Sequence, residues 1–213
     1  MGIYEFAGCV VSYEPLYGLL RPRMETYRSD TEGQPDITLD GTKEDYEKLR
    51  KQYPHLSIEE CEYSCAGAEF YMKLLKHQGF MIHASAVEKE GKAYLFSAPS
   101  GTGKSTHAQL WRQTFKGEPI RIINDDKPAV CLQNGVFYAC GTPFSGKTDK
   151  NENRKAPIQG LCMLHRGKTN KIQKITSGEA LPLILPQTLF YGDEEETNLL
   201  LSFLDRFLQS VPV

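Results

Sequence analysis

The sequence predicts a mixed α/β fold in which a mixed sheet with hairpins surrounds one strand–loop–helix unit. Three observations indicate this class. A glycine-rich loop at 97–106 follows an apolar strand and precedes a helical segment, hairpin signals lie on both sides of that unit, and two helical segments come last. The regular strand–helix alternation of a doubly wound sheet is absent. We expect a single domain over 1–213, with N-terminal, central and C-terminal subregions at 1–78, 79–165 and 166–213.

The N-terminal subregion is predicted to contain a strand and two helices. Residues 3–13 form an apolar run that indicates one strand. Thr42–Asp45 resembles a capping box, which would begin a helix that ends near Gln52. A longer helix over 61–78 has its large apolar residues near one face, and Gly79 is well placed to end it.

The central and C-terminal subregions are predicted to alternate between hairpins and helices. Gly91 ends the turn of one hairpin, and Asn134-Gly135 is a two-residue turn that is typical of another. A polar loop over 141–157 precedes a third predicted hairpin. The predicted strands are 80–87, 92–97, 119–124, 129–132, 136–140, 158–165 and 171–175; the helices are 104–115, 178–186 capped by Ser177, and 194–210 capped by Asp193.

The composition excludes several classes of function. The net charge is −2 and charged residues make up 24% of the chain, so no basic excess predicts a nucleic-acid or membrane-surface partner. No apolar run approaches the roughly 20 residues of a membrane helix, and no basic signal-peptide start is visible. We therefore expect a cytoplasmic protein with six reduced cysteines. Cys61 and Cys65 form a lone CxxxC, too little to predict a zinc site.

The strongest motif is a phosphate-binding loop, SAPSGTGKST, over 97–106. It follows the P-loop pattern G-x-x-x-x-G-K-[ST], with Ala98 in place of the first glycine. Glycines let backbone N–H groups turn onto phosphate oxygens, and the helix N-terminus adds the positive end of its dipole. Lys104 would reach the terminal phosphates and the Ser105 hydroxyl would bind Mg²⁺. The predicted contacts to ATP, or another nucleoside triphosphate, are Ser100, Gly101, Thr102, Gly103, Lys104, Ser105 and Thr106.

Two acids follow the next apolar strand. Asp125 and Asp126 stand where P-loop enzymes need a carboxylate for Mg²⁺, and a second carboxylate could accept a proton from an attacking hydroxyl. The residues alone do not choose which acid takes which role, and a solvated Asp-Asp-Lys-Pro turn is the alternative. His83 lies in the predicted strand 80–87, before the glycine loop, and a lone histidine among apolar residues is more often a hydrogen-bonded core residue.

The loop after the second hairpin combines a hydroxyl, a glycine and a lysine. Ser145, Gly146 and Lys147 are the ingredients of a second anion contact, which would face the transferring phosphate or the acceptor. An exposed flexible loop is an equal alternative.

Taken together, these motifs resemble the catalytic domain of HPr kinase/phosphorylase, and more closely a group of small stand-alone HPr-kinase-like proteins. The matching segments occur in order within about 80–165: His83–Val87, Ser97–His107, Asn124–Ala129 and Gly141–Lys147. The resemblance implies a fold shared with phosphoenolpyruvate carboxykinases, in which a hairpin precedes the P-loop strand. It also implies an ATP- and Mg²⁺-dependent kinase that acts on a serine hydroxyl of a peptide or small protein.

The resemblance assigns roles that the residues alone leave open. It implies that His83 and Lys104 lie in the active site, that Asp125 is the base, and that Asp126 holds the metal or phosphate together with Ser105. It also allows a homo-oligomer, since HPr kinases assemble as hexamers. The family's further metal-binding acid has no counterpart around 155–161, where Glu152 is a nearby substitute. A kinase for a small-molecule hydroxyl, a carboxykinase and a non-catalytic nucleotide-binding module are the alternatives.

Overall fold

Two sheets organise the computed structural model, which describes residues 1–115, 117–189 and 192–213. The strands are β1 (Gly2–Phe6), β2 (Cys9–Tyr13), β3 (Ile37–Thr38), β4 (Gly79–Met81), β5 (Ala84–Lys89), β6 (Lys92–Ser97), β7 (Arg121–Asn124), β8 (Ala129–Gln133), β9 (Val136–Cys140) and β10 (Lys155–Met163). The α-helices are α1 (Leu20–Glu25), α2 (Lys43–Gln52), α3 (Ile58–Leu74), α4 (Lys104–Thr114), α5 (Ser177–Ile184) and α6 (Glu194–Ser210).

The larger sheet has seven strands in the order β4-β8-β9-β10-β6-β5-β7. Its neighbouring strands run antiparallel except β10 and β6, which are parallel, so the predicted mixed α/β class is confirmed. The hairpins β5–β6 and β8–β9 turn at Gly91 and Gly135, whose φ angles of 73° and 79° suit glycine. The smaller sheet joins β1, β2 and β3.

Alternation of side chains along the seven strands produces three layers. One face carries residues such as Ala86, Leu95 and Val130, which pack with α5 and α6 in the largest core cluster. The opposite face is shared: Val87 and Phe96 pack under α4, while residues of β4, β8 and β9 pack against α3 and the smaller sheet. The N-terminal subregion therefore covers half of one face of the main sheet.

The strand pairing brings four chain segments to one edge of the main sheet. Ala84, the first residue of β5, pairs with Ser97, the last residue of β6, and Ala86 pairs with Asn124, the last residue of β7. The parallel strand β10 also ends there, because Met163 pairs with Ser97. The segments before β5 and after β6, β7 and β10 must therefore meet, which positions the candidate site.

The N-terminal elements differ from the sequence prediction at two places. The single strand predicted over 3–13 is a hairpin, because Ala7 and Gly8 turn the chain with φ angles of 54° and 78°. The helix predicted over 61–78 begins at Ile58 after a Ser57 capping box and ends at Leu74, with a short 3₁₀ turn after it. Gln78 takes the left-handed conformation expected of Gly79.

Three further predictions about the strands and caps were wrong. The predicted strand 80–87 breaks at 82–83, because β4 pairs with β8 whereas β5 pairs with β6 and β7. Residues 158–165 and 171–175 do not form a hairpin: β10 begins at Lys155 and pairs with β9 and β6 instead. Thr176, not Ser177, caps α5, and its capping box with Glu179 leaves Ser177 as the first helical residue. The Thr42 and Asp193 caps are confirmed.

None of the helices in the described ranges is both long enough and apolar enough to cross a membrane. All six cysteines are free thiols.

Candidate active site

The loop between β6 and α4 turns at two glycines with left-handed backbone conformations. Gly101 and Gly103 have φ angles of 76° and 118°, and a Cβ at either position would meet no atom within 4 Å. The conformation, rather than crowding, therefore favours glycine there. Gly103 caps α4 without a side-chain hydrogen bond, whereas α2, α3 and α5 each begin with a capping box. The first N–H groups of α4 are thus left without a side-chain acceptor, as anion binding requires.

Lys104 places its ammonium group on the inner side of this loop. Lys104 is only 7% exposed, and its Nζ donates a hydrogen bond to the Ala98 carbonyl at 2.9 Å. Burial lowers the pKa of Lys104, and the negative charges of Asp126 and Asp125 oppose that fall. The charges of the two acids therefore act on the Lys104 ammonium group.

Asp125 is the inner member of the acidic pair. It is 3% exposed, and both of its carboxylate oxygens accept hydroxyl hydrogen bonds: Ser85 donates to Oδ1 at 2.7 Å and Thr148 donates to Oδ2 at 3.0 Å. Its own N–H donates to the Lys150 carbonyl at 3.0 Å. These bonds fix the orientation of the carboxylate between β5 and the loop after β9.

Asp126 is the outer member, with 27% of its side chain exposed. Its Oδ1 lies 3.3 Å from His83 Nε2, and its Oδ2 lies 3.1 Å from Lys127 Nζ. Burial alone would raise the pKa of Asp126, but the hydrogen bond from His83 and the charge of Lys127 outweigh it, so the pKa lies below its ordinary value. The carboxylate is therefore ionised at neutral pH.

His83 lies between two elements rather than in an apolar core. Its Nδ1 is 3.1 Å from Gln187 Oε1, while its backbone N–H donates to the Gln187 carbonyl at 2.7 Å. The break between β4 and β5 turns the imidazole toward Asp126. The strand break that the sequence prediction missed is thus the feature that places His83 at the site.

The loop over 145–149 closes against both acids. A Cβ on Gly146, whose φ is 69°, would lie 2.8 Å from Asp126 Cβ, Cγ and Oδ2, so glycine allows this close approach. Ser145 is buried and its hydroxyl is used inside the loop, where it donates to Asp149 at 3.1 Å and accepts from an asparagine amide. Lys147 is exposed.

Two residues of the N-terminal subregion hold this loop, and sequence reasoning missed both. Tyr63 accepts the Gly146 N–H at 2.8 Å on its hydroxyl, and its ring lies under the Arg23 guanidinium and the Lys127 ammonium at 5.1 and 5.2 Å. Arg23 donates to the Gly146 carbonyl at 3.0 Å and forms an ion pair with Asp149 at 3.1 Å. An aromatic residue at helical spacing, such as Tyr63, predicts core packing, and no sequence motif includes Arg23. Neither contact could therefore be expected from the sequence.

Asn124 shapes the turn that holds the acids. Its Oδ1 accepts the backbone N–H groups of Asp126 and Lys127 at 2.9 and 2.8 Å, and its Nδ2 donates to Thr142. This local bond is typical of an asparagine at the start of a turn, so the Asn-Asp-Asp sequence could have indicated it.

The oxygen donors near the loop fit Mg²⁺ in combination with a phosphate. Within the described residues, no cluster of three or more His, Cys, Asp or Glu side chains could hold a metal ion. Mg²⁺ is commonly held by one or two carboxylates together with substrate phosphates, a role for which the Ser105 hydroxyl and Asp126 have suitable oxygens. Glu152, the proposed substitute acid, instead pairs with Arg121 at 3.3 Å and Arg154 at 3.5 Å.

A cavity of about 800 Å³ lies away from this site, between β3 and α3. Its lining includes Ile37, Glu69 and Met72, and none of the predicted site residues. The candidate site therefore lies where the strand ends converge and not in this cavity.

Comparison with known proteins gives a distant likeness among solved structures. No family model matches the chain, and no curated protein matches it. Among solved structures, the HPr(Ser) kinase/phosphatase from Coxiella burnetii aligns over 59% of this chain and 93% of its own, with 14% sequence identity and a TM-score of 0.33. The assignment to the HPr kinase family stays a prediction from the sequence motifs.

Proposed function

We propose that this protein is a phosphotransferase that moves the γ-phosphate of ATP, with Mg²⁺, to a serine hydroxyl of a peptide or small protein. The observation that carries the proposal is that Lys104 is buried in the glycine loop within range of the charges of the acidic pair. The Lys104 ammonium is buried at the base of the glycine loop, and the charges of Asp126 and Asp125 act on it. A cationic cradle beside carboxylates is the arrangement that phosphoryl transfer to a hydroxyl requires.

The chain's own residues divide the reaction as follows. The loop N–H groups and Lys104 bind the phosphates and neutralise charge that builds up during transfer. The serine oxygen attacks the γ-phosphorus, the bond from that phosphorus to the bridging oxygen of ADP breaks, and a carboxylate accepts the hydroxyl proton. Bound Mg²⁺, held by Ser105 and a carboxylate, would supply further stabilisation of the phosphate charge.

The burial of the two acids bears on which of them accepts the proton. The family resemblance assigns the base to Asp125, yet that residue is 3% exposed and its two oxygens accept the Ser85 and Thr148 hydroxyls. The oxygens of Asp126 are also paired, but their partners His83 and Lys127 are partly exposed. Asp126 is the more exposed acid, and its lowered pKa keeps it ionised. We therefore assign proton acceptance to Asp126, which would also adjoin Mg²⁺, and assign the positioning of the loop to Asp125.

Label transfer from ATP tests the proposed reaction. The purified chain is incubated with Mg²⁺, γ-labelled ATP, HPr and a panel of serine-containing peptides, and products are identified by mass spectrometry. We expect phosphoserine to form with the native chain and Lys104→Met to abolish it, while Lys168→Met, which changes an exposed lysine, leaves it intact. Nucleotide binding without transfer to any serine would refute the kinase proposal.

Two isosteric variants test the assignment of the base. Asp126→Asn removes the exposed carboxylate and should lower the transfer rate by about 100-fold or more, within the range for loss of general base catalysis. Asp125→Asn keeps the shape of the buried side chain, so we expect a smaller loss of rate together with a loss of stability. The reverse order of the two rates would return the role of base to Asp125.

A further inference from the structure

Arg166 contacts the glycine loop from the segment that follows β10. Its Nη2 donates a hydrogen bond to the Gly101 carbonyl at 2.6 Å, across 65 positions of sequence. The side chain is exposed, so this contact lies on the open side of the loop. The sequence between β10 and α5 contains no recognisable motif that would have indicated it.

The topology explains why an arginine reaches this place. Strand β10 runs parallel to β6, and the ladder continues beyond its end, because the Leu164 N–H donates to the Ser97 carbonyl at 2.8 Å. The residues that follow β10 must therefore leave the sheet beside the loop that follows β6. Arg166 comes two residues after this last ladder bond.

Among the described residues, Arg166 donates one hydrogen bond, to the Gly101 carbonyl, and its other donors are available to an anion. A guanidinium group has five N–H donors in a planar fork that matches phosphate oxygens. Arginine ion pairs within the described ranges involve other arginines, namely Arg23, Arg28, Arg121 and Arg154. A neutral carbonyl is a weaker acceptor than a phosphate oxygen, so a bound phosphate would compete well for Arg166.

We propose that Arg166 binds the terminal phosphate of the nucleoside triphosphate and exchanges its bond to the Gly101 carbonyl for one to a phosphate oxygen. Gly101 precedes Lys104 in the loop, and a P-loop lysine reaches the β- and γ-phosphates, so this part of the loop borders the terminal phosphates. The inference rests on the proposed function and adds a residue that distinguishes triphosphate from diphosphate.

Calorimetric titration with Mg-ATP and Mg-ADP tests the role of Arg166. Arg166→Ala should weaken Mg-ATP binding by about tenfold or more, the typical loss for a charge-assisted hydrogen bond, and weaken Mg-ADP binding by less than about threefold. Arg166→Lys keeps the charge without the fork and should fall between native and alanine variants. Lys168→Ala removes an exposed cation from the same segment and should change neither constant.

The outcomes separate this inference from the proposed function. If the native chain binds Mg-ATP and Arg166→Ala binds it equally well, or loses Mg-ADP to the same extent, the role of Arg166 is refuted while the proposed kinase stands. If the native chain binds neither nucleotide, both proposals are refuted. A thermal unfolding curve for each variant, expected to match the native curve, shows that a change in binding is not a loss of fold.

Discussion

Gly146→Ala is the sharpest test of how the loop over 145–149 positions Asp126. The substitution has two physical effects. An alanine at a φ of 69° is strained by about 1–2 kcal/mol, and its Cβ would lie 2.8 Å from three atoms of Asp126. Crowding of this kind typically adds about 1–3 kcal/mol. We therefore expect Gly146→Ala to lower the free energy of unfolding by about 2–5 kcal/mol.

Gly135→Ala is the matched control for backbone strain. Gly135 has a φ of 79°, and a Cβ there would meet nothing within 4 Å, so the substitution introduces strain without crowding. It lies in the turn between β8 and β9, outside the candidate site. Gly135→Ala should lower the free energy of unfolding by about 1–2 kcal/mol, from the strain alone. Equilibrium unfolding in urea, followed by fluorescence of the single tryptophan, measures both values.

The effect on catalysis follows from the displacement of Asp126. Widening a 2.8 Å contact to an ordinary 3.4 Å moves the carboxylate or the loop by about 0.6 Å. Since a 1 Å misplacement can lower a rate about 100-fold, we expect Gly146→Ala to slow Mg-ATP turnover by about tenfold, and Gly135→Ala to leave it within about twofold. Equal stabilities and equal rates for the two variants would refute the argument that Gly146 is needed for its approach to Asp126.

Three further predictions follow from individual hydrogen bonds. Glu62→Ala should lower the free energy of unfolding in urea by about 3 kcal/mol, because a tyrosine hydroxyl and two backbone N–H groups lose their buried acceptor; Glu62→Gln should lose less. Tyr63→Phe should lower the free energy of unfolding by about 1 kcal/mol, because the Gly146 N–H loses its hydroxyl acceptor. His83→Ala should move the acid limb of turnover to higher pH, because burial then raises the pKa of Asp126 without opposition from His83; an unmoved limb would contradict this.

The parts of the fold that depend on neighbouring residues could be predicted from the sequence. The capping boxes and two-residue turns are set by bonds over three or four positions, so Thr42, Asp193 and Gly135 have the predicted roles. Strand boundaries were less predictable, because pairing partners lie far apart in the chain. The apolar run 80–87 looks continuous, yet its two halves pair with different strands.

The candidate site likewise combines features that neighbouring residues indicate with features that depend on distant parts of the chain. The glycine loop and the acidic pair carry recognisable chemistry at fixed spacing, and the sheet brings them together. The exposure of each acid was not predictable, because the hydroxyls of Ser85 and Thr148 reach Asp125 from two distant segments. Arg166 and Tyr63 likewise act through contacts that only the three-dimensional arrangement creates.

The N-terminal subregion belongs to the site although the recognisable motifs lie in about 80–165. Arg23 and Tyr63 bond to Gly146, the glycine that approaches Asp126 closely. The two bonds join residues that are 123 and 83 positions apart in the sequence. Helix α3 and the smaller sheet also cover apolar residues of β8 and β9. A chain without this subregion would expose that apolar face and deprive the Gly146 N–H of its acceptor, the Tyr63 hydroxyl. In the proposed reaction the motifs would supply the reacting groups, whereas residues outside them hold the loop next to the Asp126 carboxylate.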